Sequence, residues 1–234
     1  MIIGIDPGHG GNDCGAVSNN IYSAGFKKKK YYERDLVLEL SLKIRDILEK
    51  NNIQVVMTRI DNQSRPNIQA RANRMNYSNC NLDISIHLNS AGNPNVATGS
   101  EIWVHSKANK DTLEKAQCVQ DELVALGFAD RKVKKGYITS PDVNFGINRL
   151  TNAASMLVEV CFIDNDKDIK FLINNMDNVA MAISKGIGKA VGLDISKDTK
   201  TTELKSLMVT NLTDKQLQSC KQYLIKNNIS YQEI

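Results

Sequence analysis

Histidine is scarce in this chain, and two of its three imidazoles stand where chemistry is done. His9 lies in Asp6-Pro7-Gly8-His9-Gly10-Gly11, just past a first apolar run, and His87 closes Asp83-Ile84-Ser85-Ile86-His87. Glu159 sits inside Met156-Leu157-Val158-Glu159-Val160, a run apolar enough to be buried, where an unpaired carboxylate is very costly and must find a partner. Glu33 immediately precedes a helical pattern. Two imidazoles and one carboxylate with an open position describe a catalytic zinc site, whereas a structural site closes with protein ligands alone, usually thiolates among them. His9, Glu33 and His87 fit that description, and their spacing is not the H-E-x-x-H of the helical zinc proteases.

These side chains need a frame. Short apolar or alternating runs at Ile2–Asp6, Ile53–Thr58, Leu82–His87, Glu101–His105 and Met156–Val160 predict strands. Between them, Asp35–Asn51 puts Leu36, Leu40, Ile44 and Ile47 on one helical face; Lys110–Leu126 and Met176–Val191 carry similar stripes. Strands alternating with helices imply a mostly parallel sheet covered on both faces, an α/β/α three-layer domain over residues 1–193. In such sheets functional groups gather beyond the carboxyl ends of the strands, where His9, His87 and Glu159 all fall. A polar stretch at 194–202 reads as a linker. Residues 203–234 read as a small βαβ unit, with Thr213 as N-cap of its helix, too small to close a core unaided. Leu204, Leu207, Val209, Leu217, Leu224, Ile225 and Ile229 give it an apolar face. Wall attachment and pairing as a homodimer are the expectations for this unit, with docking onto its own first domain as the alternative.

Composition sets the outer bounds. The 234 residues are 41% hydrophobic and 24% charged, enough for a full core and against intrinsic disorder. No apolar run is long enough to span a bilayer. A net charge of +4, without a concentrated basic face, gives no ground for a nucleic-acid partner. Five dispersed cysteines without a C-x-x-C pair argue against a disulfide framework and for reduced thiols. The first residues read as a strand and not as a signal peptide, so the expectation is synthesis in the cytoplasm and release by another route.

The motifs join into a family pattern. Asp6-Pro7-Gly8-His9-Gly10-Gly11, Glu33 leading a helix, Thr58-Arg59, Gln69-Ala70-Arg71-Ala72, Asp83-Ile84-Ser85-Ile86-His87-Leu88-Asn89, Gly99-Ser100-Glu101-Ile102 and Leu157-Val158-Glu159 follow in order. Over residues 1–192 the chain resembles the zinc-dependent N-acetylmuramoyl-L-alanine amidases of the amidase-3 type. The resemblance implies a phosphorylase/hydrolase-like sandwich, one zinc held by His9, Glu33 and His87, and Glu159 as the catalytic carboxylate. It implies peptidoglycan as substrate, cut at the amide between N-acetylmuramic acid and L-alanine. A phage endolysin let out by a holin is the leading role, a sporulation autolysin the second, and a zinc carboxypeptidase acting on the stem peptide the rival reaction. Ala154 and Cys161 depart from the family pattern, Cys161 where glycine would leave space in the pocket.

Other residues have plainer readings. Asn89 is a candidate substrate contact. Arg71 is expected to brace a helix against the sheet, and His105, near Trp103, to pack or face solvent. Lys27–Lys30 reads as a solvated loop, with contact to anionic wall polymers as its sharper meaning.

Overall fold

The computed structural model describes residues 1–19, 21–22, 28–137, 143–195, 213 and 217–218. The chain divides into two units, Met1–Lys197 and Asp198–Ile234. Of the second, only Thr213, Leu217 and Gln218 are described, with one helical hydrogen bond from Leu217 N–H to Thr213 O at 2.9 Å. The remainder of the expected βαβ unit lies outside the described residues.

In the first unit the elements run β1 (Ile2–Pro7), β2 (Ile21–Tyr22), β3 (Lys28–Lys29), α1 (Glu33–Lys50), β4 (Gln54–Met57), α2 (Ile68–Tyr77) and β5 (Leu82–Asn89). They continue as β6 (Ser100–Val104), α3 (Lys110–Leu126), β7 (Asp130–Lys135), α4 (Gly146–Leu150), β8 (Ala154–Phe162), α5 (Asp166–Asn174) and α6 (Met176–Ala190). Six strands form one sheet in the order β4-β1-β5-β8-β6-β7, and β2 pairs β3 apart from it. Neighbours in the large sheet are parallel except β6, which runs antiparallel to β8. The expected α/β sandwich is therefore present, with a mixed sheet.

Period-2 alternation sorts each strand's side chains onto two faces. Ile3 and Ile5 of β1, Ile84 and Ile86 of β5, and Met156 and Val158 of β8 pack with Leu40 and Ile44 of α1, Val119 and Leu123 of α3, and Val179 and Ile183 of α6. The opposite face has a much smaller apolar cluster, Ala72 and Met75 of α2, Ile147 of α4, Trp103 and Leu157. What that face carries instead is polar, and it carries the site. Packing of the unit reaches Ile195, which is 4% exposed and would touch a side chain added at Gly188. The stretch at 194–202 thus still contributes a core residue at its start, because Ile195 is apolar enough to fold back on α6. Ile47 is only partly buried and Leu48 takes the fourth place on the α1 stripe, one residue on.

Six elements of this unit escape the sequence pattern: the two-residue strands β2 and β3, the five-residue helix α4, and three longer ones, β7, α2 and α5. β7 reads Asp-Arg-Lys-Val-Lys-Lys, one apolar residue in six, and forms because an edge strand can leave its charged side chains in water. α2 and α5 are short, and each is started by an asparagine: Asn67 Oδ1 accepts from Ala70 N–H, and Asn165 Oδ1 from Lys167 and Asp168 N–H. Among the described residues no helix is long and apolar enough to cross a membrane.

Candidate metal centre

Asp6, next to last in β1, is an anchor. Its Oδ1 takes Thr58 Oγ1 at 2.5 Å and Arg71 Nη1 at 2.7 Å, and its Oδ2 takes Ser85 Oγ at 2.7 Å. Arg71, from α2, also donates to the carbonyls of Pro7 and His9, and Arg59 donates to those of Pro7 (2.9 Å) and Gly8 (2.6 Å). Two buried guanidiniums thereby fix the backbone of the glycine loop. Arg71 braces α2 against the sheet as expected; the comparable role of Arg59 was invisible in the sequence because its acceptors in the glycine loop are backbone carbonyls, which any residue supplies.

The loop so held presents His9 in the left-handed region (φ 60°), uncommon for a residue with a side chain. Gly8 is needed beside it, since a Cβ there would lie 2.4 Å from the His87 ring. Glu33, at the first turn of α1, is buried between the two imidazoles: Oε2 is 3.1 Å from His9 Nε2, and Oε1 is 3.0 Å from His87 Nδ1. The same oxygens accept Ala16 N–H (2.8 Å) and Leu88 N–H (2.9 Å), so the carboxylate is locked in position. The rings stand edge to face with centroids 5.0 Å apart. One ligand atom from each of His9, Glu33 and His87 lies within 4.8 Å of the others. Asp13, which the sequence did not mark, sits 3.1 Å from His9 Nδ1 and orients that ring.

Charge follows the geometry. Burial disfavours a charged His9, but Glu33 and Asp13 outweigh it and raise its pKa above the usual imidazole value. Burial likewise opposes the ionised Glu33, yet the two imidazoles win and hold its carboxyl well below the carboxylate range.

Glu159 is beside His87 in the β5–β8 register and opposite Glu101 in the β6–β8 register. It is buried, and Oε2 meets no hydrogen-bond partner among the described residues. Burial, with the Glu33 and Glu101 charges nearby, pushes its pKa well up. One carboxylate locked between two imidazoles, next to a buried carboxylate with an unpartnered oxygen, is a donor set that fits a cation with a reactive group beside it.

Asn89 ends β5, with Nδ2 donating to Glu101 Oε1 at 2.9 Å and Oδ1 accepting Ser90 N–H at 2.8 Å. Cys161 is fully buried in the apolar core on the other face of the sheet. The register between β5 and β8 shifts by one residue between His87/Glu159 and Asn89/Phe162, so β8 bulges there, and the thiol leaves the pocket open. His105 stands apart, its Nδ1 accepting Lys107 N–H in a turn. Of Lys27–Lys30, Lys27 lies outside the described residues, and Lys29 stacks over Tyr31 at 4.7 Å.

The family model described as N-acetylmuramoyl-L-alanine amidase matches residues 3–189. The N-acetylmuramoyl-L-alanine amidase CwlM of Bacillus licheniformis is 28% identical over 194 residues, 81% of this chain and 68% of that protein. The sporulation-specific N-acetylmuramoyl-L-alanine amidase of Bacillus subtilis is 29% identical over 206 residues, 87% of this chain and 71% of that one. Among solved structures, the N-acetylmuramoyl-L-alanine amidase of Clostridium difficile 630 superimposes with a TM-score of 0.71 at 32% identity, over 82% of this chain and 96% of that one.

Proposed function

The chain belongs to the N-acetylmuramoyl-L-alanine amidase family, and from that premise we propose that it is a zinc hydrolase with His9, Glu33 and His87 as metal ligands and Glu159 as proton shuttle. The bond cut is the amide joining N-acetylmuramic acid to L-alanine in peptidoglycan, and the outcome is cell-wall lysis. The observation that carries this reading is the meeting of three ligand atoms within 4.8 Å beside a buried carboxylate oxygen with no partner. Zinc, when bound there, supplies Lewis-acid activation of a water and of the scissile carbonyl.

The remaining work belongs to the chain. Arg59 and Arg71 hold the loop that aims His9, Asp13 orients the His9 ring through Nδ1, and the N–H groups of Ala16 and Leu88 hold the Glu33 carboxylate in place. Glu159 takes the proton of the attacking water and passes it to the departing alanine nitrogen, a role suited to a carboxylate kept close to the ligands without pairing. Asn89 borders the same edge and contacts substrate. Residues 203–234, joined by a linker that begins only after Ile195, serve wall attachment and pair as a homodimer. A phage endolysin is the setting we propose, and the sporulation-specific relative makes an autolysin the second reading.

Elemental analysis of protein purified without chelator should find one zinc per chain, and His9→Ala or His87→Ala should lose both metal and activity. Glu159→Gln should keep zinc and fold while losing roughly 10²-fold or more in turnover. Loss of zinc in that variant would make Glu159 a ligand and overturn the assignment of Glu33. Mass analysis of fragments from purified walls separates this reaction from a carboxypeptidase by the bond that is cut. A chain ending after Ile195 should hydrolyse soluble muropeptides and bind intact walls less well, and light scattering on the full chain reads the pairing.

A further inference from the structure

Beside Glu159, across the antiparallel step from β8 to β6, lies a second constellation, of which the reaction above uses Asn89 alone. Glu101 is buried at 2% exposure with both carboxylate oxygens filled. Oε1 accepts from Asn89 Nδ2 (2.9 Å) and Trp103 Nε1 (3.0 Å); Oε2 accepts from Arg131 Nε and Lys134 Nζ, each at 2.7 Å. Two cations thus share one oxygen of one anion, which leaves the trio with a net positive charge, its anion directly opposite Glu159.

A regular strand could not do this. Arg131 and Lys134 are three residues apart, and on an even pleat they would point to opposite faces. Lys132 between them adopts φ 74°, and the β6–β7 register slips from Ser100/Asp130 to Ile102/Val133, an extra residue on β7. The bulge restores the parity and brings both cations onto Glu101. A non-glycine residue held at positive φ has a conformational cost that only the surrounding structure sustains.

The cations remain available. Arg131 is 36% and Lys134 32% exposed. Arg131 engages Glu101 through Nε alone, so its two terminal nitrogens, the pair that grips a carboxylate side by side, make no bond among the described residues. The guanidinium lies over the Phe162 ring at 4.8 Å and Lys134 over the Trp103 ring at 5.1 Å, which fixes both from below. A buried anion that organises two half-exposed cations is the construction of an anion subsite, with Glu101 as spacer and Arg131 as the gripping group.

Resting on the amidase reading, we propose that Arg131 and Lys134 bind a free carboxylate of the stem peptide and make the enzyme prefer substrates that carry one over their carboxamides. Asn89 and Glu101 are then positioning residues for this subsite.

The test uses the full-length zinc-loaded protein and two soluble muropeptides that differ only in carrying a carboxylate or a carboxamide on the residue after L-alanine. Wild type should cleave the carboxylate form with kcat/KM roughly tenfold or more higher, the scale of a charge-assisted pair. Arg131→Gln should raise KM for that form by a similar factor and bring the two substrates close to parity. Arg131→Lys should recover part of the preference. Each single variant leaves one cation on Glu101, so the fold has its buried anion still paired. Lys135→Gln removes the same charge from the same strand but its Nζ bonds only Ala108 O, so it should keep the preference. Equal cleavage of both substrates by wild type overturns the proposal. So does an Arg131→Gln defect that falls on kcat alike for both substrates, which marks a structural role through Glu101. Cleavage of neither substrate by wild type fails the amidase reading itself, a different result.

Discussion

The two faces of the large sheet come from the same strands and have opposite characters. In β5, Ile84 and Ile86 face α1 and α6 in the apolar core, while Asp83, Ser85 and His87 alternate with them on the other side. In β8, Met156 and Val158 alternate with Leu157 and Glu159. Alternation in a sheet usually separates core from water. Here the polar residues are buried as well: Asp6, Asp83, Ser85 and Glu159 are all at 7% exposure or less. One face stabilises the fold by excluding water from hydrocarbon; the other holds desolvated charge in place, which weakens the fold and readies it for chemistry.

The sharpest way to break this division is Arg71→Ala, which leaves Asp6 charged, buried and without its cation. The expected loss is about 3–5 kcal/mol by urea unfolding, accompanied by loss of metal, because the carbonyl of His9 is also released. Ile44→Ala attacks the other face from α1. It should lower stability by about 2–5 kcal/mol as a cavity opens, with metal content and KM unchanged in the folded fraction. If the Ile44 variant instead alters KM, the faces are coupled and the division is wrong.

Asp83 gives the smallest effect and the cleanest pH signature. Burial, with the Asp6 charge adding and the Cys80 thiol subtracting, pushes its pKa to about 7, and neither oxygen has a fully formed hydrogen bond. A carboxyl with a raised folded-state pKa keeps its proton in the fold where the unfolded chain has released it. Its contribution to stability is therefore full below pH 4 and is lost as pH rises toward 7. Asp83→Asn has no such dependence. The two proteins should melt together near pH 4 and separate by pH 8, with the variant more stable by on the order of 1–3 kcal/mol. A constant gap at all pH values would show that the carboxyl titrates normally.

Much of this was legible in the sequence, and for particular reasons. His9, Glu33, His87 and Glu159 stand out because charged and titratable residues next to apolar runs are rare. The apolar stripes of α1, α3 and α6 follow the helical period. β7 was hidden because its sequence is nearly all charged, and so were its consequences: no strand rule brings Arg131 and Lys134 together until a bulge at Lys132 is known. Asp13 and Arg59 act through geometry that the loops impose, and Asp83 looks like any polar residue of an alternating strand until its burial is seen.

The order of the strands has a last consequence. The proposed ligands come from the β1 loop, α1 and β5, and Glu159 from β8, all within or upon the parallel part of the sheet, while β6 and β7 form the adjoining edge. The register that aligns His87 with Glu159 is made between β5 and β8 without that edge. Substitutions at Arg131 and Lys134 on β7 should therefore shift the proposed carboxylate preference while His87 and Glu159 keep their register.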